Sequence, residues 1–109
     1  MDTVYNLKWT ESEKKLSRRL FEATLDGELA EVMAEFKAKA AAVTSPQEMW
    51  AIRDYLSRKG HEIEQKYDCR YSQLLFVFGR LVREGRLREE QLAELSDEKL
   101  SYIQRIVSL

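Results

Sequence analysis

Proline occurs once and glycine four times, at positions 27, 60, 79 and 85, in a chain of 109 residues. That is too little turn chemistry for an all-β fold of this length. Cysteine occurs once, at Cys69, so no internal disulfide can form. The chain also opens without an apolar signal-like stretch, and a reducing cytoplasm is the expected compartment. Long apolar runs are missing. The longest is LLFVF, Leu74 to Phe78, far too short to span a bilayer, so no membrane insertion is expected. Charge of one sign is not in surplus either. Eighteen Lys and Arg stand against nineteen Asp and Glu, a formal net charge of −1, which lacks the basic excess that a nucleic-acid partner requires.

What is present is helix-forming sequence, and the expectation is one all-α domain over residues 1–109. WTESEKK opens with a capping box, in which Thr10 accepts from the Glu13 amide and the Glu13 side chain returns to the Thr10 amide. Nothing then stops a helix before TSPQE. Leu25, Leu29, Val32, Phe36, Ala40 and Val43 follow a 4, 3, 4, 4, 3 spacing, a narrow seam like that of a coiled coil. Near Asp26-Gly27 the sequence leaves open whether this helix bends or breaks, because glycine is a poor helix former. A second helix starts at Ser45 as N-cap, with Pro46 in the first position and Glu48 completing another capping box. It should run to about Tyr67, with Met49, Ile52, Leu56, Ile63 and Tyr67 as its core stripe. A third helix, roughly Tyr71 to Glu84, is apolar nearly all round and should be buried. Gly85 reads as its left-handed C-cap, with Leu87 as the following apolar contact. Two short helices fit REEQLAEL and, after an N-cap at Ser96, DEKLSYIQRIV.

Length bears on assembly. A helix from Glu11 to Val43 would extend about 50 Å at about 1.5 Å per residue. A compact domain of this size is only ~35 Å across. The seam therefore outruns what its own chain can cover, and a homodimer is expected. Met33, Phe36 and Met49 are the residues expected at its interface.

Enzyme chemistry has little support. His61, the only histidine, has no second ligand at metal-binding spacing, so no metal and no cofactor are expected. A Cys69–His61 nucleophile pair would rest on two residue types alone. No phosphate-binding glycine loop or nucleophile elbow occurs, and no catalytic residue is assigned. A pocket enzyme would need several cations converging in a core crevice, and no such pattern stands out.

Trp50 raises a different question. It points about 130° away from the mean direction of the second helix's stripe, on the side of Arg53, Asp54, Ser57 and His61. One reading makes it the edge of a core or a contact with a partner copy. The other makes it a protein-binding hot spot, since Trp and Arg beside a paired carboxylate suit such patches. Helical geometry alone leaves both open.

Read together, MWAIRDYLSRKGHEIEQKYD and FVFGRLVREG resemble the cyanobacterial fluorescence recovery protein family. Trp9, Leu20-Phe21, Trp50, Asp54, His61-Glu62-Ile63, Lys66-Tyr67-Asp68 and Phe76-Val77-Phe78 carry the likeness, which runs from Trp9 to the C-terminus. The resemblance implies an all-helical homodimer with a long N-terminal helix, a helical hairpin and short C-terminal helices. It implies binding to photoactivated orange carotenoid protein, chiefly through that protein's C-terminal domain. Its effect would be to accelerate the red-to-orange reversion that ends phycobilisome quenching, without covalent chemistry. It also implies a cytoplasmic location, at the thylakoid face near phycobilisomes. The family's active Trp and Asp map onto Trp50 and Asp54, and an aromatic of the third helix maps onto Phe76.

Three positions depart from the family pattern: Arg53 stands where His is common, Gly60 where Arg is common, and Tyr102 where a Lys is found. Asp54 can pair with Arg58 one turn on, so Arg58 is expected to replace the cation missing at Gly60. The partner-binding set is thus Trp50, Arg53, Asp54, Arg58, Gly60 and Phe76. The alternative is a helical dimer of the same fold that binds a different protein.

Overall fold

The computed structural model describes residues 7–109, and among these every regular element is helical. α1 spans Glu11–Ala41, α2 Pro46–Lys66, α3 Tyr71–Arg83 and α4 Asp97–Ser108, with a single 3-10 turn at Glu89–Leu92. The Thr10 box forms as expected: the Glu13 amide donates to Thr10 Oγ1 at 3.2 Å, and the Thr10 amide donates to Glu13 Oε1 at 3.0 Å. At Ser45 the Glu48 amide donates to Oγ at 3.3 Å, and the Glu48 carboxylate accepts from the Ser45 hydroxyl and from the amide and hydroxyl of Thr44. Gly85 has φ +75°, the left-handed value that ends α3.

At one element a question left open is decided, and at another the expectation is corrected. α1 runs unbroken through Gly27, where a Cβ would meet nothing within 4 Å. The weak propensity of one exposed glycine is outweighed by good helix formers on both sides. REEQLAEL forms only the four-residue 3-10 turn, which places Leu92 and Leu95 inward without a full helix.

The chain divides into two compact units. The first comprises residues up to Thr24 together with Asp68–Leu109. Its core is Leu16 and Leu20 of α1, Leu75, Phe78 and Leu81 of α3, Leu92, and Ile103 of α4. α3 and α4 pack closely because Gly79 has no side chain: a Cβ there would lie 2.8 Å from the Ile106 Cβ and nearer still to its Cγ2. Glu13 ties the unit's ends together. Its carboxylate accepts from the amide of Ser96 at 2.9 Å and from Lys99 Nζ at 3.2 Å. Lys99 also donates to the Lys8 carbonyl and lies 4.9 Å from the Trp9 ring centroid.

The second unit, Leu25–Tyr67, is a helical hairpin of the rest of α1 and α2. Polar contacts mark its antiparallel register. Glu28 accepts from Lys66 Nζ at 2.7 Å and from the Tyr67 hydroxyl at 2.8 Å, while Glu35 accepts from the Tyr55 hydroxyl further along. The expected core stripe of α2 is corrected here. Tyr67 is buried, but Met49 and Leu56 are exposed, and Tyr55 and Lys66 take the buried places. At about 100° per residue, Tyr55 and Lys66 lie about 40–60° to one side of Ile52, and Met49 and Leu56 about as far to the other. The hairpin closes on the first flank and leaves the second outside.

Candidate protein-binding surface

The first turns of α2 present the side chains singled out from the sequence. Trp50 is 51% exposed, on a helix direction about 160° from half-buried Ile52. It is not part of its own chain's core. The Arg53 guanidinium carbon lies 5.3 Å from the Trp50 ring centroid, and Arg53 donates through Nε and Nη2 to Asp54 Oδ1, both at 3.2 Å. Aromatic, cation and carboxylate therefore form one contiguous cluster. Arg53 holds the indole from one side while Asp54 fixes the guanidinium. Both charges stand in solvent, so the pair contributes little to stability and much to the charge pattern of the patch.

Arg58 is not brought into this cluster, which corrects the expected Asp54–Arg58 pair. Its guanidinium lies 6.0 Å from the Tyr55 ring, whose other neighbour is Lys39 Nζ at 4.9 Å. Arg53, adjacent in sequence, already occupies the Asp54 oxygen. Hydrogen bonding to the Glu35 carboxylate pushes the Tyr55 phenol up to about 12, so it stays a donor at neutral pH. Gly60 is about 1.7 turns beyond Asp54, and a Cβ there would enter open space. Phe76, at 36% exposure, stands outside the buried side of α3 in the other unit. Tyr102, also of that unit, has the Arg105 guanidinium 4.9 Å from its ring.

The hairpin carries a second feature of the same kind. Met33 and Phe36 of α1 and Met49 of α2 are exposed, as are Leu29 and Leu56. So many large apolar side chains on one small unit exceed the scattered exposure of an ordinary monomer surface. Of these, Leu29 and Phe36 belong to the seam expected along α1, whereas Met49 and Leu56 were expected in the core stripe of α2. Periodicity missed Glu28, Glu35 and Tyr55, whose polar pairing across the hairpin leaves no periodic trace.

His61 and Cys69 are each exposed, and among the described residues no group of His, Cys, Asp or Glu could hold a metal ion. No described helix is long and apolar enough to cross a membrane.

Comparison with known proteins gives a consistent answer. A family model described as photoprotection regulator fluorescence recovery protein matches residues 9–107. The Fluorescence recovery protein of Synechocystis sp. (strain ATCC 27184 / PCC 6803 / Kazusa) is 36% identical over 101 residues, covering 93% of either chain. Among solved structures, the Fluorescence Recovery Protein from Synechocystis sp PCC 6803 superposes with a TM-score of 0.88 at 35% identity. That match covers 94% of this chain and 100% of the other. The Fremyella diplosiphon Fluorescence Recovery Protein gives 0.87 at 28% identity, with the same coverage.

Proposed function

The chain belongs to the fluorescence recovery protein family, regulators of photoprotection rather than enzymes, and from that premise we propose that it binds photoactivated orange carotenoid protein and speeds its red-to-orange reversion. The partner surface is the Trp50, Arg53 and Asp54 cluster, with Arg58 and the open position at Gly60 on the same helix; Phe76, on α3 of the other unit, is a separate contact in the proposal. The C-terminal domain of the carotenoid protein is the element it contacts. The observation that carries this reading is the exposed Trp50 stacked by Arg53, which is itself paired with Asp54. A half-exposed tryptophan held in place by a cation loses little side-chain freedom when it enters a partner's pocket, which is how an anchor residue gains affinity.

Acceleration without covalent chemistry requires differential binding. The surface must hold the partner more tightly on the way back to its resting form than in the activated form. Where the family commonly has an imidazole, Arg53 supplies a planar guanidinium with several donors, which lies over the indole and holds Asp54 at the same time. At Gly60 no side chain projects, and Arg58 leans on Tyr55 instead of Asp54. Asp54 therefore offers its second oxygen to a donor of the partner.

A homodimer is part of the same proposal. Met33, Phe36 and Met49, with Leu29 and Leu56 beside them, form the face a second copy would cover. The reading is tested by mixing the protein with photoactivated orange carotenoid protein and timing dark recovery of the orange colour. Acceleration at substoichiometric amounts is expected. An unchanged rate at excess overturns it and leaves the other reading, a helical dimer that has turned the surface to a different protein, which the departures at Arg53, Gly60 and Tyr102 favour.

A further inference from the structure

The solvent side of α3 joins an aromatic to a row of arginines. Phe76, Arg80 and Arg83 are exposed, while Leu75, Phe78 and Leu81 behind them are buried. At about 100° per residue, Arg80 lies about 40° to one side of Phe76 and Arg83 about 20° to the other, so the three share one face. The end of the helix adds a third guanidinium. Gly85 turns the chain back at φ +75°, and the Arg86 and Leu87 amides donate to the Leu81 carbonyl at 2.9 and 3.3 Å. Arg86 thereby returns beside the last turn of α3, with its Nε 3.6 Å from Glu84 Oε1. Arg80 donates through Nε to the other oxygen, Glu84 Oε2, at 2.9 Å. One carboxylate thus holds two guanidiniums by their inner nitrogens. Arg80 has no second partner among the described residues, and its side chain is 55% exposed, so both of its Nη groups remain available. Arg83 forms no ion pair among the described residues.

Three arginines therefore surround a single carboxylate. The next acids in sequence, Glu89 and Glu90, line a separate cavity against α4. We propose that this face docks an acidic segment of a protein. The Nη groups of Arg80 and the Arg83 guanidinium take its carboxylates, and an apolar side chain of the segment lies on Phe76. A guanidinium pairs with a carboxylate through parallel N–H groups, a match that an ammonium cannot make. Glu84 holds Arg80 before the segment arrives, so less side-chain freedom is lost on binding. The helix dipole accounts for cations in a last turn, but it does not call for an aromatic on the same face. Carboxylates suit the place better than phosphates. A helix C-terminus presents carbonyls instead of free amides, and both its dipole and Glu84 disfavour the denser charge of a phosphate. The face belongs to the unit that lacks the Trp50 cluster, and it does not depend on the identity of the partner proposed above.

The protein is titrated into a fluorescein-labelled, glutamate-rich peptide with one central leucine, and anisotropy is read at low and at physiological salt. Three further probes are a glutamine counterpart, a glutamate-rich peptide with serine at the centre, and an oligothymidylate of equal length. The leucine-centred acidic peptide is expected to bind saturably and more weakly as salt rises, and the glutamine peptide not at all. Arg80→Gln and Arg83→Gln should each weaken binding about fivefold, the usual worth of one hydrogen bond. Arg19→Gln, the same loss of charge at an exposed position of α1, should leave it unchanged. Phe76→Ala should erase the preference for leucine over serine. Glu84→Ala separates a built site from a merely basic surface. Removing an acid tightens binding to a diffuse positive patch, whereas releasing Arg80 from its acceptor should weaken it. Circular dichroism checks that each variant keeps its helices. The proposal is overturned if the acidic peptide does not bind saturably, or if Arg80→Gln and Arg83→Gln behave like Arg19→Gln. Tighter binding by Glu84→Ala overturns it too, and so does a preference for the oligothymidylate over the peptide.

Discussion

Glu13→Gln isolates what the carboxylate at the start of α1 contributes. Glu13 and Lys99 are both about 5% exposed, and the carboxylate accepts from two backbone amides as well as from the ammonium. Glutamine keeps the shape and one acceptor oxygen. It places an NH2 opposite either an amide or Lys99, and it leaves the Lys99 charge buried without its counter-ion. Breaking one side of a buried pair in this way costs about 3–5 kcal/mol. Lys99→Met should cost less, because the remaining carboxylate retains both amide donors. The double variant should be closer to Lys99→Met than to the sum of the singles, since a pair removed together leaves no orphaned charge. Acid titration adds an independent sign. Burial pushes the Glu13 carboxyl up, but the amides of Thr10 and Ser96 and the Lys99 ammonium outweigh it and hold the group below its ordinary value of 4.5. A carboxyl depressed in the folded state contributes stability that is fully present above the unfolded value. That stability is lost as pH falls through the folded one. Wild type should therefore lose stability below about pH 4.5, and Glu13→Gln should show a shallower loss. Urea unfolding at pH 7 and at intervals down to pH 3 measures both effects. A Glu13→Gln penalty under about 1 kcal/mol with an unchanged acid slope would refute the reasoning.

Three further outcomes follow from other parts of the structure. Trp50→Ala should leave helicity and melting nearly unchanged while weakening partner binding by about 2 kcal/mol or more; a drop in stability of about 3–5 kcal/mol would instead mark a core residue. Met49→Glu should shift the sedimentation coefficient to that of a monomer at micromolar concentration, because it places an unpaired charge in the proposed dimer face; a fully dimeric variant would locate the interface elsewhere. Gly60→Ala, with open space around the new Cβ, should raise stability by about 1 kcal/mol, whereas Gly79→Ala should lower it by about 1–3 kcal/mol, since the new methyl collides with Ile106, as thermal melts of the two variants would show.

The sequence announced the helix starts because their signals are local. Thr10 with Glu13, Ser45 with Glu48, and Ser96 each act over three residues, and each hydroxyl accepts from the amide expected of it. Gly85 was legible for the same reason, since one residue's φ decides it. Glu13 shows where that legibility stops. Its capping role is written three residues away, but its contacts with Ser96 and Lys99 cross more than eighty residues of chain. No spacing rule encodes those contacts. Glu28 with Lys66 and Tyr67 is a second case, at separations of 38 and 39 residues. Such pairs look in sequence like any solvated charges, which is why α2 was expected to bury its aliphatic stripe.

The misplaced stripe also bears on how Trp50 should be read. Periodicity says which residues share a side of a helix, but not which side faces its own chain. On α2 the side turned toward α1 is held by Tyr55, Lys66 and Tyr67 through Glu35 and Glu28. Met49 and Leu56, which sequence placed in the core, are thereby left exposed. Trp50 lies on neither flank. Arg53 lies over its ring, and Arg53 is held by Asp54. A tryptophan meant only to cover the edge of the hairpin would lie beside Met49's flank, with no need of a cation stacked on its ring. The Arg53 stack and the Asp54 pair add almost nothing to the stability of an exposed helix. What they do add is a fixed orientation for the indole and a defined charge on each side of it. Those properties support the partner surface proposed above.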